Sequence, residues 1–91
     1  MQRRTKTAAE YDSTIAKGNE AAALLSNPML GDILEKMERE ATQKLLDSLK
    51  QEEREVAWHK VTAVRDVRRE LQSIANSGKL AASNKKQLGG E

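Results

Sequence analysis

The sequence predicts an all-α protein. Breakers are sparse, with one proline (Pro28) and five glycines in 91 residues. The stretches between them are rich in Ala, Leu, Glu, Lys, Arg and Gln, all good helix formers. Apolar residues recur at three- and four-residue steps, not in the alternation of a strand. The expected architecture is an N-terminal helix followed by an antiparallel helical hairpin, with flexible basic termini. One long continuous helix in place of the hairpin is the alternative.

The first helix is expected over about residues 8–25. Thr7 and Glu10 have the spacing of a capping box at its start. Ala8, Tyr11, Ile15, Gly18, Ala22 and Leu25 line one face of it. Most of these residues are small, so the face buries little area, and Gly18 weakens the helix. Tyr11, Ile15, Ala22 and Leu25 are therefore expected to meet a partner protein.

Asn27-Pro28 marks the next boundary. Proline pushes the residue before it out of helical geometry. Asn is a preferred N-cap, and Pro is favoured at the first helical position. A second helix is expected over 28–47, with Asp32 and Glu35 near its positive end. Leu30, Ile33, Leu34, Met37, Ala41, Leu45 and Leu49 form its apolar stripe, with Leu30, Leu34, Met37 and Leu45 as core.

Residues 50–55 (Lys-Gln-Glu-Glu-Arg-Glu) contain nothing apolar. Periodicity returns with Val61, Val64, Val67, Leu71 and Ile74, which predicts a third helix over 52–77. Val61, Val64 and Leu71 are expected to pack on the second helix. Ser48 and Gln51 have capping-box spacing at the turn. Gly78 is expected to end the third helix in the left-handed conformation, leaving 79–91 as a flexible tail. A single helix over 28–77, about 75 Å long, would leave both stripes exposed. The hairpin lets each stripe cover the other. Residues 7–78 thus read as one helical domain after a basic segment, 1–6.

This core is thin. The chain has no Phe, one Trp (Trp58) and one Tyr (Tyr11), and 37% of its residues are apolar, below the usual ~45–50%. Small domains bury a low fraction of their surface even with good cores. A protein partner, copies of the chain itself or both are therefore expected. Trp58 sits at the margin of the third helix's stripe, where an aromatic serves either as an interface anchor or as a cover over the core.

Catalysis finds no support in the residues. No Cys is present and His59 is the sole histidine, so disulfides and the usual zinc sites are excluded. Glu55 lies one helical turn before His59, but no nucleophile has an evident relation to the pair. No phosphate-binding glycine loop occurs. A non-enzyme is expected, without cofactor, metal or small-molecule substrate. No secretory signal or membrane-length apolar run is read either.

The net charge of +2 divides unevenly. Arg3, Arg4 and Lys6 give residues 1–6 a charge of +3, and residues 79–91 carry +2, leaving −3 on the body. Arg65, Arg68 and Arg69 share one helical face. With Arg3, Arg4 and Lys6 they are the candidates for nucleic-acid contact. Asp66, Glu70 and the acids of 35–40 argue against a dedicated duplex binder.

The segment from Asn27 to Ala81 resembles a family of short helical proteins encoded among the head and morphogenesis genes of tailed bacteriophages. The resemblance rests on Leu24-Leu25-x-Asn27-Pro28-Met29-Leu30, then Trp58-x-x-Val61-x-Ala63-Val64-x-x-Val67-Arg68-x-x-Leu71, and Gly78-Lys79-Leu80-Ala81. It implies a virion component or assembly factor that binds a larger phage structural protein, located in the virion or the host cytoplasm. Two rival readings are a small nucleic-acid-binding packaging or regulatory protein and an inhibitor of a host protein.

Overall fold

The computed structural model describes residues 6–89, and all its regular structure is helical: α1 (Ala8–Leu25), α2 (Pro28–Asp47) and α3 (Gln51–Gly89). The α1 and α2 bounds match those read from the sequence. Thr7 Oγ1 accepts from Glu10 N at 3.2 Å, which satisfies one of the orphan donors at the start of α1. Asn27 is extended (φ −74°, ψ 116°), and its Oδ1 accepts from Leu30 N at 3.0 Å with Pro28 beginning the helix. No acid lies in the first turn of α2, so Asp32 and Glu35 fall beyond the stretch where the helix dipole acts most strongly.

Residues 28–77 are not one helix. Ser48 leaves helical geometry (φ −76°, ψ 130°). Its hydroxyl donates to Lys44 O at 2.6 Å and its amide donates to the same oxygen at 2.9 Å. Ser48 therefore finishes α2 and does not serve as the second capping box. Glu52 and Glu53 stand in the first turn of α3, favourably placed for its dipole.

The chain divides into two compact units. In the unit Leu25–Glu70, the buried residues are Leu34 and Ala41 from α2 and Ala57, Val61 and Val64 from α3. Their spacings, seven residues on α2 and four then three on α3, keep one stripe of each helix in the seam. Leu30 and Leu45 are half-buried at its edges. Met37, expected in the core, is 50% exposed. The seam runs through Leu34, Glu38 and Ala41, and Met37 stands one position to the side.

The other unit joins Met1–Leu24 to Leu71–Glu91. Here the third helix departs from expectation, because no end occurs at 76–79 and the helix runs on to Gly89. No glycine among the described residues has a positive φ, so Gly78 is no left-handed cap. Gly78 is instead buried inside the helix, in line with Ala75 and Ala81. Opposite them α1 presents Gly18 and Ala21, also buried. A Cβ built on Gly18 would lie 2.6 Å from Gly78 Cα, so the two backbones touch. Lys85, read as part of a tail, pairs with Asp12.

Candidate protein-docking site

Among the described residues, only three buried apolar side chains are larger than Ala: Leu34, Val61 and Val64. Eleven large apolar side chains are exposed. The core is thus as thin as the composition implied, and about half of the large apolar side chains among the described residues face water.

The two most exposed, Leu49 and Leu46, lie where α2 gives way to α3. Leu49 sits between the helices, after the Ser48 cap has stopped α2 and before α3 begins at Gln51. It is 98% exposed. Leu46, in the last turn of α2, is 74% exposed, and Trp58, two turns into α3, is 49% exposed. Leu45, Leu49 and Trp58 line a depression of about 520 Å³ with Gln51, Arg54 and Glu55 on its polar side. The positions 51, 54, 55 and 58 share one face of α3. Gln51 Nε2 donates to Glu55 Oε1 at 3.3 Å, so Glu55 is engaged along this face.

A larger groove of about 750 Å³ opens elsewhere on the same unit. Met37, Ala41 and Lys44 of α2 line it, with Val56, Lys60 and Ala63 of α3. Its charged margin carries both signs, with Glu40, Glu52 and Glu53 beside the two lysines.

Each arginine of the Arg65, Arg68 and Arg69 cluster faces a carboxylate. Arg65 Nε donates to Glu38 Oε1 at 2.7 Å, and Arg68 donates to Glu38 Oε2 at 3.1 Å. Arg69 donates to Asp66 at 3.1 Å. The Arg65 hydrogen bond holds the Glu38 carboxyl below its ordinary value of 4.5. Desolvation opposes this, and the charges of Arg65 and Arg68 reinforce it. Sequence spacing placed these arginines on one face but gave no sign of the carboxylate nearly thirty residues away. Lys6 is exposed, and Arg3 and Arg4 lie outside the described residues.

The residues expected to meet a partner through α1 are placed otherwise. Tyr11, Ile15 and Ala22 are half-buried on the side that carries Gly18 and Ala21, as is Leu25 at the helix end. In the Met1–Leu24 and Leu71–Glu91 unit, this side of α1 is occupied by α3. The physical reason is the extra length of α3, which supplies the small-residue face that α1 needs. Leu71 is half-buried.

Among the described residues, no three His, Cys, Asp or Glu side chains are grouped to hold a metal ion, and no helix is long and apolar enough to cross a membrane. No protein-family model, curated protein or solved structure matches the chain.

Proposed function

We propose that this is a non-enzymatic assembly protein of the tailed-phage type, a virion component or assembly factor that docks on a larger phage structural protein. In this reading α2 and the first part of α3 act as an antiparallel helical hairpin, and its turn end is the docking site. One observation carries the docking site: Leu49 stands in water beside a half-exposed Trp58, the two lining one depression with Leu45. Trp is enriched at interface hot spots, where neighbouring contacts serve to exclude water from the anchor. The resemblance of residues 27–81 to phage morphogenesis proteins supplies the class of partner.

The test is quantitative mass spectrometry of purified phage particles and of purified assembly intermediates. The wild-type chain is expected in one of them at a fixed copy number, and the Leu49→Asp/Trp58→Ala variant is expected to be lost from it. Absence of the wild-type chain from both overturns the reading. Unchanged incorporation of the variant overturns the assignment of the site.

A further inference from the structure

We infer that the groove on the α2–α3 unit is the contact face for a second copy of the chain, and that the two copies pair with their α2–α3 turns at the same end. This goes beyond the docking reading above and rests on different residues.

Each helix carries a second stripe of mixed apolar and charged residues beside its buried seam. On α2 the stripe runs Ile33, Met37, Glu40, Lys44. On α3 it runs Val56, Lys60, Ala63, Val67. Both alternate steps of three and four, the spacing that keeps a stripe facing a neighbouring helix. Met37, Lys44, Val56, Lys60 and Ala63 line the groove directly. Ile33 and Val67 extend it by one turn on each helix. The exposures are 48% for Ile33, 50% for Met37, 59% for Val56 and 46% for Val67. Together these side chains leave about 400 Å² of apolar surface in water, at the level of the largest patch on a typical monomer. With the stems of Glu40, Lys44 and Lys60 added, the face reaches about 600 Å² per partner, the low end for a specific interface.

Charge selects both the occupant and the register. An antiparallel course, in keeping with the Glu38–Arg65 pair, sets Lys44 near the level of Val56, Glu40 near Lys60 and Met37 near Ala63, all of which line the groove. A two-fold axis along the helices sets α2 of each copy against α3 of the other at equal height. Met37 then enters the gap over the small Ala63 of the other copy, where a flexible thioether fills space well. Ile33 meets Val67. Glu40 meets Lys60, and Lys44 reaches Glu53 while its stem covers Val56. Glu40, Lys44 and Lys60 each find an opposite charge in the same face. The other face-to-face two-fold runs each helix antiparallel to its own copy. It would set Ile33 against Lys44 and Met37 against Glu40, burying charges without partners.

Sedimentation velocity on the full chain from about 5 to 500 µM tests the pairing, a range suited to an interface of this size. Wild type is expected to pass from monomer to dimer. Ala63→Arg is expected to weaken association at least tenfold with an unchanged helical circular dichroism spectrum. Val67→Lys serves as the second variant should Ala63→Arg fold poorly. A wild-type chain that stays monomeric, or folded variants that dimerise as well as wild type, overturns the inference. The register is read separately. The chain has no cysteine, so Leu49→Cys takes a single nitroxide label. Pulsed electron resonance on the dimer is expected to give about 20 Å between labels, against more than ~30 Å for the opposite two-fold, at ~1.5 Å rise per residue. The longer distance overturns the shared-end register. Particle incorporation of Ala63→Arg then separates this face from the Leu49/Trp58 site, whose loss is read by its own variant.

Discussion

The contact between Gly18 and Gly78 makes one substitution diagnostic. Gly18→Ala adds a methyl group whose carbon would lie 2.6 Å from Gly78 Cα, 3.1 Å from Gly78 N and 3.2 Å from Ile74 O. Carbon atoms in comfortable contact stand ~3.5–4.0 Å apart, so the helices must part by about 1 Å. All three obstacles are backbone, and none can swing aside. Over-packing costs ~1–3 kcal/mol, and a clash with a helix backbone belongs at the upper end. Against this, Ala is favoured over Gly within a helix by about 1 kcal/mol. The net expectation is a loss of about 2 kcal/mol, or roughly 10 °C in Tm for a chain of this size. Gly31→Ala is the control. It is the same chemical change inside α2, where an added Cβ meets nothing within 4 Å. It should leave stability unchanged or raise it by up to about 1 kcal/mol. The assay is thermal and urea unfolding followed by circular dichroism, at one protein concentration because self-association would shift Tm. A Gly18→Ala protein as stable as Gly31→Ala would refute the close helix approach.

Three further outcomes are expected. Gly78→Ala should destabilise like Gly18→Ala, its Cβ lying 2.7 Å from Gly18 Cα, and the double variant should lose less than the two single losses together, because helices already parted accommodate the second methyl. Asn27→Ala removes the side-chain acceptor for Leu30 N and should cost about 1 kcal/mol in urea unfolding. Glu38 has a lowered folded-state pKa, so its contribution is present above the unfolded value and is lost as pH falls from about 4.5 through the folded value; Glu38→Gln should flatten that acid limb of the stability profile, and an unchanged limb would remove Glu38 as its cause.

Local signals in the sequence were read correctly where they act locally. Asn27-Pro28 and Thr7-x-x-Glu10 start helices because the donor and acceptor sit three residues apart, and such pairs need no tertiary context. Leu34, Val61 and Val64 were legible as core from spacing alone. The misreadings share a cause. Gly78 after Asn76-Ser77 has the composition of a helix stop, and only the presence of Gly18 on α1 shows why a glycine inside α3 is required. Ser48 has the spacing of an N-cap but satisfies the end of the preceding helix. Met37 fits an apolar stripe that is wider than the seam. In each case a second element decides between two local meanings, and that element lies from a few to sixty residues away. Trp58 stands out in the sequence as an aromatic at a stripe's margin, while Leu49 fits the end of the α2 stripe by spacing although α2 stops at Asp47.

The two ends of α3 solve the same packing problem with different means. Its buried positions advance by four and three at 57, 61 and 64, and by three and three at 75, 78 and 81. In the unit with α2, Val61 and Val64 meet a partner that offers Leu34 and Ala41, so stabilisation follows buried apolar area at about 25 cal/mol per Å². In the unit with α1, the buried positions are Gly and Ala on both helices, and little side-chain area is available. What remains is backbone against backbone, where many weak dispersion contacts accumulate at short range. Such contacts fall away steeply with separation. This makes the α1 packing sensitive to one added methyl group, whereas the Val-lined seam tolerates small shifts. Amide exchange should follow the same division, with α1 amides exchanging before those of α2 around Leu34 to Ala41. The reverse order would mean that close backbone approach contributes more to this protein than buried side-chain area.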